Sequence, residues 1–295
     1  MATSVTNTTF PVTYKDDFVD SDNYHRILFN SGKALQAREL TQMQTIIQEE
    51  ISRFGSNIFV EGGVVNGSGF TVDNNYQFIK LALNQLPSAT GSELIGQEFI
   101  EDGTGVKFKI LEVRTILADG ISRDTLYVKY TATSGGTSGP TSVKVRDGAT
   151  LTKSGFSSMT VDGTFGVTTD ATGAGTRVSV AAGSFFVQGH FVFAKAQTIM
   201  ASFYSATPNL VIGFRADEEV ITTADDAALF DNQGAVPNTA APGADRYRIK
   251  LTLIDQANIT AGQNFVYLFK LFNGRITDEA RKDNSYATLN DVMAL

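Results

Sequence analysis

A single stretch of this 295-residue chain carries a sustained helical period. Leu40, Met43, Ile47, Ile51 and Phe54 recur at steps of three and four, with Gln36, Arg38, Glu39, Gln42, Gln44, Gln48 and Glu49 filling between them. That is the pattern of an amphipathic helix. Ser31 or Asn30 is placed to cap its start and Gly55 to end it in a left-handed turn. A helix is therefore expected over 31–55, with Lys33 to Phe54 spanning about 33 Å. Two uses are open to the apolar stripe. It can pack on the chain's own β-structure, which is the favoured reading, or it can form the seam of a parallel homotrimer. The seam is disfavoured because the stripe covers only about two heptads and Glu50 stands where such a seam wants an apolar residue.

Past Gly55 the helical period is lost and strand texture takes over. Asn57-Ile-Phe-Val-Glu, Val64-Val-Asn, Gly69-Phe-Thr-Val and Tyr76-Gln-Phe-Ile-Lys-Leu-Ala-Leu alternate or run apolar between Gly and Asn turns. Val106 to Arg114 and Thr125 to Tyr130 are the clearest strands of a second block, with a turn expected at Ala118-Asp-Gly and a loop at Ser134 to Pro140. The stretch Val178 to Ala194, with closely spaced glycines among β-branched and aromatic residues, echoes Phe59 to Phe70. Strands at Asn209 to Phe214, Arg246 to Ile254 and Phe265 to Phe272 complete the chain. The expected fold is mainly β with one long N-terminal α-helix. Its discontinuous β-core, 56–90 and 176–295, carries an inserted small β-barrel or β-sandwich module over 91–175. Residues 1–30 are polar, interrupted by Pro11, and spotted with Phe10, Tyr14, Phe18, Tyr24 and Phe29. They are expected to form an extended arm lying across another surface, its own or a neighbour's.

Composition bounds the function. The net charge of −7 opposes non-specific attachment to a phosphate backbone, so no nucleic-acid partner is expected. The absence of cysteine removes disulfides, thiolate nucleophiles and thiolate-held metals. The N-terminus lacks a basic start followed by an apolar run, and no stretch of about 18 apolar residues occurs, so synthesis in a cytoplasm and no membrane span are expected.

The residue types of catalysis lack their spacings. His25 and His190 have no metal-ligand companions, and His190 reads as a packing residue. Asp20-Ser-Asp-Asn opens like a calcium loop but lacks the glycine and distal glutamate. Asp16-Asp17, Glu218-Glu219 and Asp225-Asp226 are adjacent in sequence, so their side chains diverge rather than face across a sugar. Thr172-Gly-Ala-Gly-Thr lacks the strand-to-helix setting of a dinucleotide loop, and no phosphate loop or nucleophile elbow occurs. No catalytic residue, cofactor or metal is expected.

Phe29-Asn-Ser-Gly-Lys-Ala-Leu-Gln-Ala-Arg-Glu-Leu-Thr-Gln-Met-Gln and Phe59-Val-Glu-Gly-Gly-Val-Val-Asn-Gly resemble the start of a family of virion proteins of tailed bacteriophages, common in contractile-tailed phages including those of cyanobacteria. Gly183 to Gly189 and Asp231 to Leu251, with its Ala-Pro-Gly-Ala-Asp-Arg, resemble later parts of the same family. The resemblance implies a baseplate or tail-fibre component of the virion, oligomeric, with other tail proteins as partners and its N-terminal part on the particle. Family members often continue past the equivalent of Asn284 to Leu295, so the chain is either a short, attachment-only member or a fragment of a longer fibre. Docking through the arm and the helix is expected, with Phe18, Tyr24, Phe29, Leu40, Met43, Ile47 and Phe54 at the interface and a homotrimer as the assembly. The rival expectation is an adhesin whose inserted module presents Tyr127, Tyr130 or Phe156 to cell-surface glycans, and a more distant one is a polysaccharide depolymerase.

Overall fold

The computed structural model describes residues 14–88, 90–118, 121–132, 144–162, 170–231, 236 and 238–280. The expected loop at Ser134 to Pro140, the tip of the Ala118-Asp-Gly turn, Phe10, Pro11 and the stretch from Asn284 lie outside these residues.

The helix, α1, runs Ala37–Ile58, later at both ends than the sequence suggests. Gly32 adopts φ +79° in a turn closed by the Lys33 N–H on the Asn30 carbonyl, which turns the backbone out of a helical path, so neither Asn30 nor Ser31 can cap. Gln36 starts the helix instead, its N–H donating to Glu39 Oε2 at 3.0 Å in the reciprocal manner of a capping box. Gly55 lies inside the last turns rather than ending them. Its missing side chain makes room for a ring: a Cβ there would stand 2.5 Å from Phe186 Cε2. Asn57 and Ile58, expected in a strand, complete the helix, and the chain becomes extended at Phe59.

The fold is mainly β. β1 (Val64–Gly67), β2 (Phe70–Lys80), β3 (Glu98–Glu101), β4 (Lys107–Ala118), β5 (Ile121–Ala132), β6 (Thr150–Thr152), β7 (Met159–Thr160), β8 (Thr172–Val180), β9 (Gly183–Val187), β10 (His190–Ala194) and β11 (Gln197–Ser202) precede β12 (Leu210–Ile221), β13 (Phe230–Asp231), β14 (Asn238–Pro242), β15 (Arg246–Asp255), β16 (Asn264–Phe272) and β17 (Arg275–Glu279). The largest sheet has the order β11-β8-β2-β5-β4-β3-β6-β7; a four-stranded sheet runs β15-β12-β16-β17 and a three-stranded one β1-β9-β10. The two stretches that echo each other in sequence are neighbours here, with Val64 opposite Phe185 and Gly67 opposite Gly183.

The large sheet curls until its far end meets β2 again. Leu81 bridges Val161, and the Ala82 N–H donates to the Thr160 carbonyl at 2.9 Å. A small barrel results, filled by Ile79, Leu81, Phe99, Phe108, Ile110, Leu126, Val128, Leu151 and Met159. This closure covers the sheet's edge at the β7 end, which would otherwise invite pairing with other chains. The other end of the same sheet packs against the four-stranded sheet as a sandwich, with Val178, Val180, Phe185, Ile212, Phe214, Leu253, Leu268 and Phe269 in its core. β2 contributes to both. A bulge between Asp73 and Tyr76 adds one residue to β2 against β8, which switches the alternation so that Phe70 and Val72 face the sandwich while Ile79 and Leu81 face the barrel.

Buried charges in the barrel wall are held by partners. Glu101 has a fully buried side chain and accepts from Arg146 Nε at 2.8 Å and from Thr104. Removing one partner of such a pair strands the other. Arg146→Ala is expected to cost about 2 kcal/mol, a figure reduced from that of a fully buried pair because Arg146 is 64% exposed. Urea denaturation of Arg146→Ala against Arg146→Lys checks this, since lysine keeps the charge. Lys80, also fully buried, lies 4.7 Å from the centre of the Tyr204 ring, and burial lowers its pKa.

Candidate functional site

The helix is seated on the body by its polar face. Gln42, Thr45, Ile46, Ser52 and Gly55 are buried, with Gly55 over Phe186 and Gln48 reaching toward the Gly189 carbonyl. At 100° per residue this set lies on the side opposite Leu40, Met43, Ile47, Ile51 and Phe54. All five of those face solvent: Ile47 is 54% and Phe54 67% exposed, against 5% for the adjacent Ile46. The favoured expectation, that the stripe packs on the chain's own β-domain, is therefore overturned. The physical reason is the narrow seat, where the Phe186 ring approaches closely enough to require glycine and small or polar residues beneath the helix. The five are spaced 3-4-4-3, so Leu40, Met43, Ile47 and Phe54 keep the heptad register while Ile51 stands beside the position it assigns to Glu50, which faces His25 at 3.6 Å.

The arm lies on the helix through charge. Asp16 accepts from Thr45 Oγ1 at 2.6 Å and from the Phe18 N–H, Asp17 pairs with Arg38 at 2.9 Å, Asp20 pairs with Arg53, and the Tyr14 hydroxyl bonds Asp245 at the start of β15. Its apolar side chains are left outside. Tyr24 and Phe29 are exposed, as are Val19, Leu28 and Leu35, while Phe18 is half-buried. Of the seven residues the sequence placed at an interface, six are exposed on the arm and helix. Val19, Leu28, Leu35 and Ile51 are exposed as well, the first three as apolar residues of an otherwise polar arm and the last on the helix stripe.

The residues tested for chemistry have structural employments. Glu218 accepts from the Tyr247 hydroxyl and Glu219 pairs with Arg248, so the two point apart on β12. Asp225 accepts from the Thr222 N–H and hydroxyl, which hold its pKa low, and Asp226 caps the turn at Ala228. Among the described residues no group of three or more His, Asp or Glu gathers as a metal site. No helix among them is long and apolar enough to cross a membrane. Of the rings considered for glycan contact, Tyr127 and Tyr130 are set by alternation along β5, and Phe156 lies in the turn between β6 and β7. Tyr127 is fully buried and stacked on Tyr76, Tyr130 packs on Phe108 with its hydroxyl accepting from the Val145 N–H, and Phe156 packs on Phe99.

His190 lies beside Tyr247, its Nε2 buried without a hydrogen-bond partner among the described residues, and burial lowers its pKa while Glu218 opposes this. Because the folded value lies below the unfolded one of about 6.5, its contribution to stability is present above that pH and is lost as pH falls through the folded value. His190→Gln is expected to flatten the decline in stability below about pH 6.5, as read by urea denaturation at stepped pH.

The pattern of a family described as a domain of unknown function, DUF4815, matches residues 12–85 and 159–294. The chain belongs to this family. The DUF4815 match takes in the described arm, α1, β1, β2 and the sandwich strands, and omits 86–158, which holds β3 to β6 of the barrel. The outward apolar stripe lies within the matched residues. No curated protein and no solved structure matches the chain.

Proposed function

We propose that this protein is a non-enzymatic structural component of a tailed-bacteriophage virion, in the baseplate or tail fibre, that assembles through its arm and helix as a homotrimer and docks there on other tail proteins. The observation that carries the assembly part is the inverted helix: a chain that folds with its polar helix face inward and five large apolar side chains outward leaves a surface that water disfavours. The 3-4-4-3 spacing keeps the stripe on one side of the helix over its length, the side on which parallel copies would pack. The phage setting rests on the resemblance of residues 29–44, 59–67, 183–189 and 231–251 to tailed-phage virion proteins. The arm lies along the helix and also exposes apolar side chains, so both are assigned to the contact.

Sedimentation equilibrium of the intact chain tests the assembly. A species of three times 31.7 kDa is the expected result. A monomer at high micromolar concentration, with α1 helical by circular dichroism, would overturn it. The virion setting is tested by locating the chain in a density map of the particle that carries it.

A further inference from the structure

The large sheet is split. β2 pairs with β8 from Phe70 to Ile79 but with β5 only over Gln77 to Lys80, whereas β5 continues beside β4 to Ala132. From Gln77 and Val128 outward the sheet therefore opens as a V, and no described strand pairs with the free side of Lys129 to Ala132. The bulge between Asp73 and Tyr76 lies on one arm of the V. The space between is a cleft of about 680 Å³, within the size range of small-ligand sites. One wall comes from β2 and β8, inside the DUF4815 match, and the other from β4 and β5, outside it.

Three cations line this cleft: Lys129, Lys144 and Arg177, against the single carboxylate of Asp73. None of the three makes an ion pair with a described residue, although the chain as a whole carries a net charge of −7. Lys129 stands directly opposite Lys109 across β4 and β5, a like-charge pair that destabilises an empty sheet. Arg177 is pre-set. Its guanidinium lies 4.6 Å from the centre of the Tyr76 ring, and its buried Nε has no hydrogen-bond acceptor among the described residues. Asp73, Asn75 and Gln77 line the same cleft, with Gln77 Nε2 donating to Asn75 Oδ1 and the Asn75 N–H to Asp73 Oδ1, and their remaining acceptors and donors are of the kind that match sugar hydroxyls.

We infer that the cleft between β2 and β5 is a binding site for an acidic saccharide, its carboxylates held by Arg177, Lys129 and Lys144 and its hydroxyls by Asp73, Asn75 and Gln77. This goes beyond the assembly reading and does not depend on it, since the cleft is built from the sheet, not from the arm or helix. It differs from ring-stacking glycan recognition because charge and amides, not exposed aromatics, do the selecting. Isothermal titration of the intact chain with trigalacturonate, maltotriose and inorganic phosphate tests it. Trigalacturonate binding that weakens at least tenfold in Arg177→Gln and in the double variant Lys129→Gln/Lys144→Gln is expected, with weakening as salt rises. The lysine pair is exposed, so that variant keeps the fold even if Arg177→Gln does not. Equal binding of maltotriose, displacement of the trisaccharide by phosphate at equal concentration, or no trigalacturonate binding would each overturn the assignment.

Discussion

Exchanging Ile47 and Phe54 for aspartate is expected to dissociate the assembly at least a hundredfold while leaving the unfolding midpoint of the single chain almost unmoved. Both side chains are more than half exposed in the isolated chain, so neither stabilises it by burial. Substitutions at such positions change stability by about 0.5 kcal/mol or less. In a contact between copies the same side chains leave water, a gain of about 1.5–3 kcal/mol each, and a buried unpaired carboxylate in their place adds a further penalty. Two such losses exceed the roughly 2.7 kcal/mol that a hundredfold change requires. Ile46→Asp supplies the opposite case. Ile46 is buried beneath the helix, so its replacement should lower the unfolding midpoint directly. Sedimentation equilibrium and urea denaturation of the two variants separate the effects. If the Ile47/Phe54 variant unfolds early and stays assembled, the outward face is not the contact.

Gly55→Leu is expected to cost about 3 kcal/mol and to lift the C-terminal turns of the helix from the sheet. A Cβ there meets Phe186 at 2.5 Å, and Phe186 is itself held by neighbours, in ring contact with Phe59 at 6.0 Å and Phe191 at 5.5 Å. A packed cluster of this kind cannot yield without off-rotamer side chains or backbone shifts, at about 1–3 kcal/mol per overpacked site. The distinguishing experiment is a double-mutant cycle. Phe186→Ala alone should cost about 3 kcal/mol through the cavity it leaves. In Gly55→Leu/Phe186→Ala the leucine enters that cavity, so the combined loss should fall below the sum of the two. Additive losses would mean that the ring does not limit the seat.

Much of this fold was legible before any coordinates. The 2-residue alternation of Arg246 to Ile254 maps onto β15, because alternation reports one buried face whatever strand lies opposite, and the apolar run Phe265 to Phe272 maps onto β16. The existence of α1 followed from its apolar period, which marks one side of a helix even though this side is not the buried one in the chain. Its ends did not, since they depend on the turn at Gly32 and on the ring that Gly55 accommodates, and the glycine signals were read as a terminator where one was a contact. The cleft was invisible in sequence. Arg177, Lys129 and Lys144 are separated by long stretches of chain, and only the parting of β2 from β5 brings them to one space.

The amino-acid sequence by itself determined the parts: a helix with one apolar stripe, strands with one apolar face each, and no spacing suited to catalysis. A periodic pattern states which side chains share a face. It does not state which neighbour that face meets, because the neighbour comes from elsewhere in the chain or from another chain. The tertiary structure decided that the helix sits with its polar side on Phe186 and its apolar side outward. It also decided that β2 serves barrel and sandwich together, through one extra residue at the bulge.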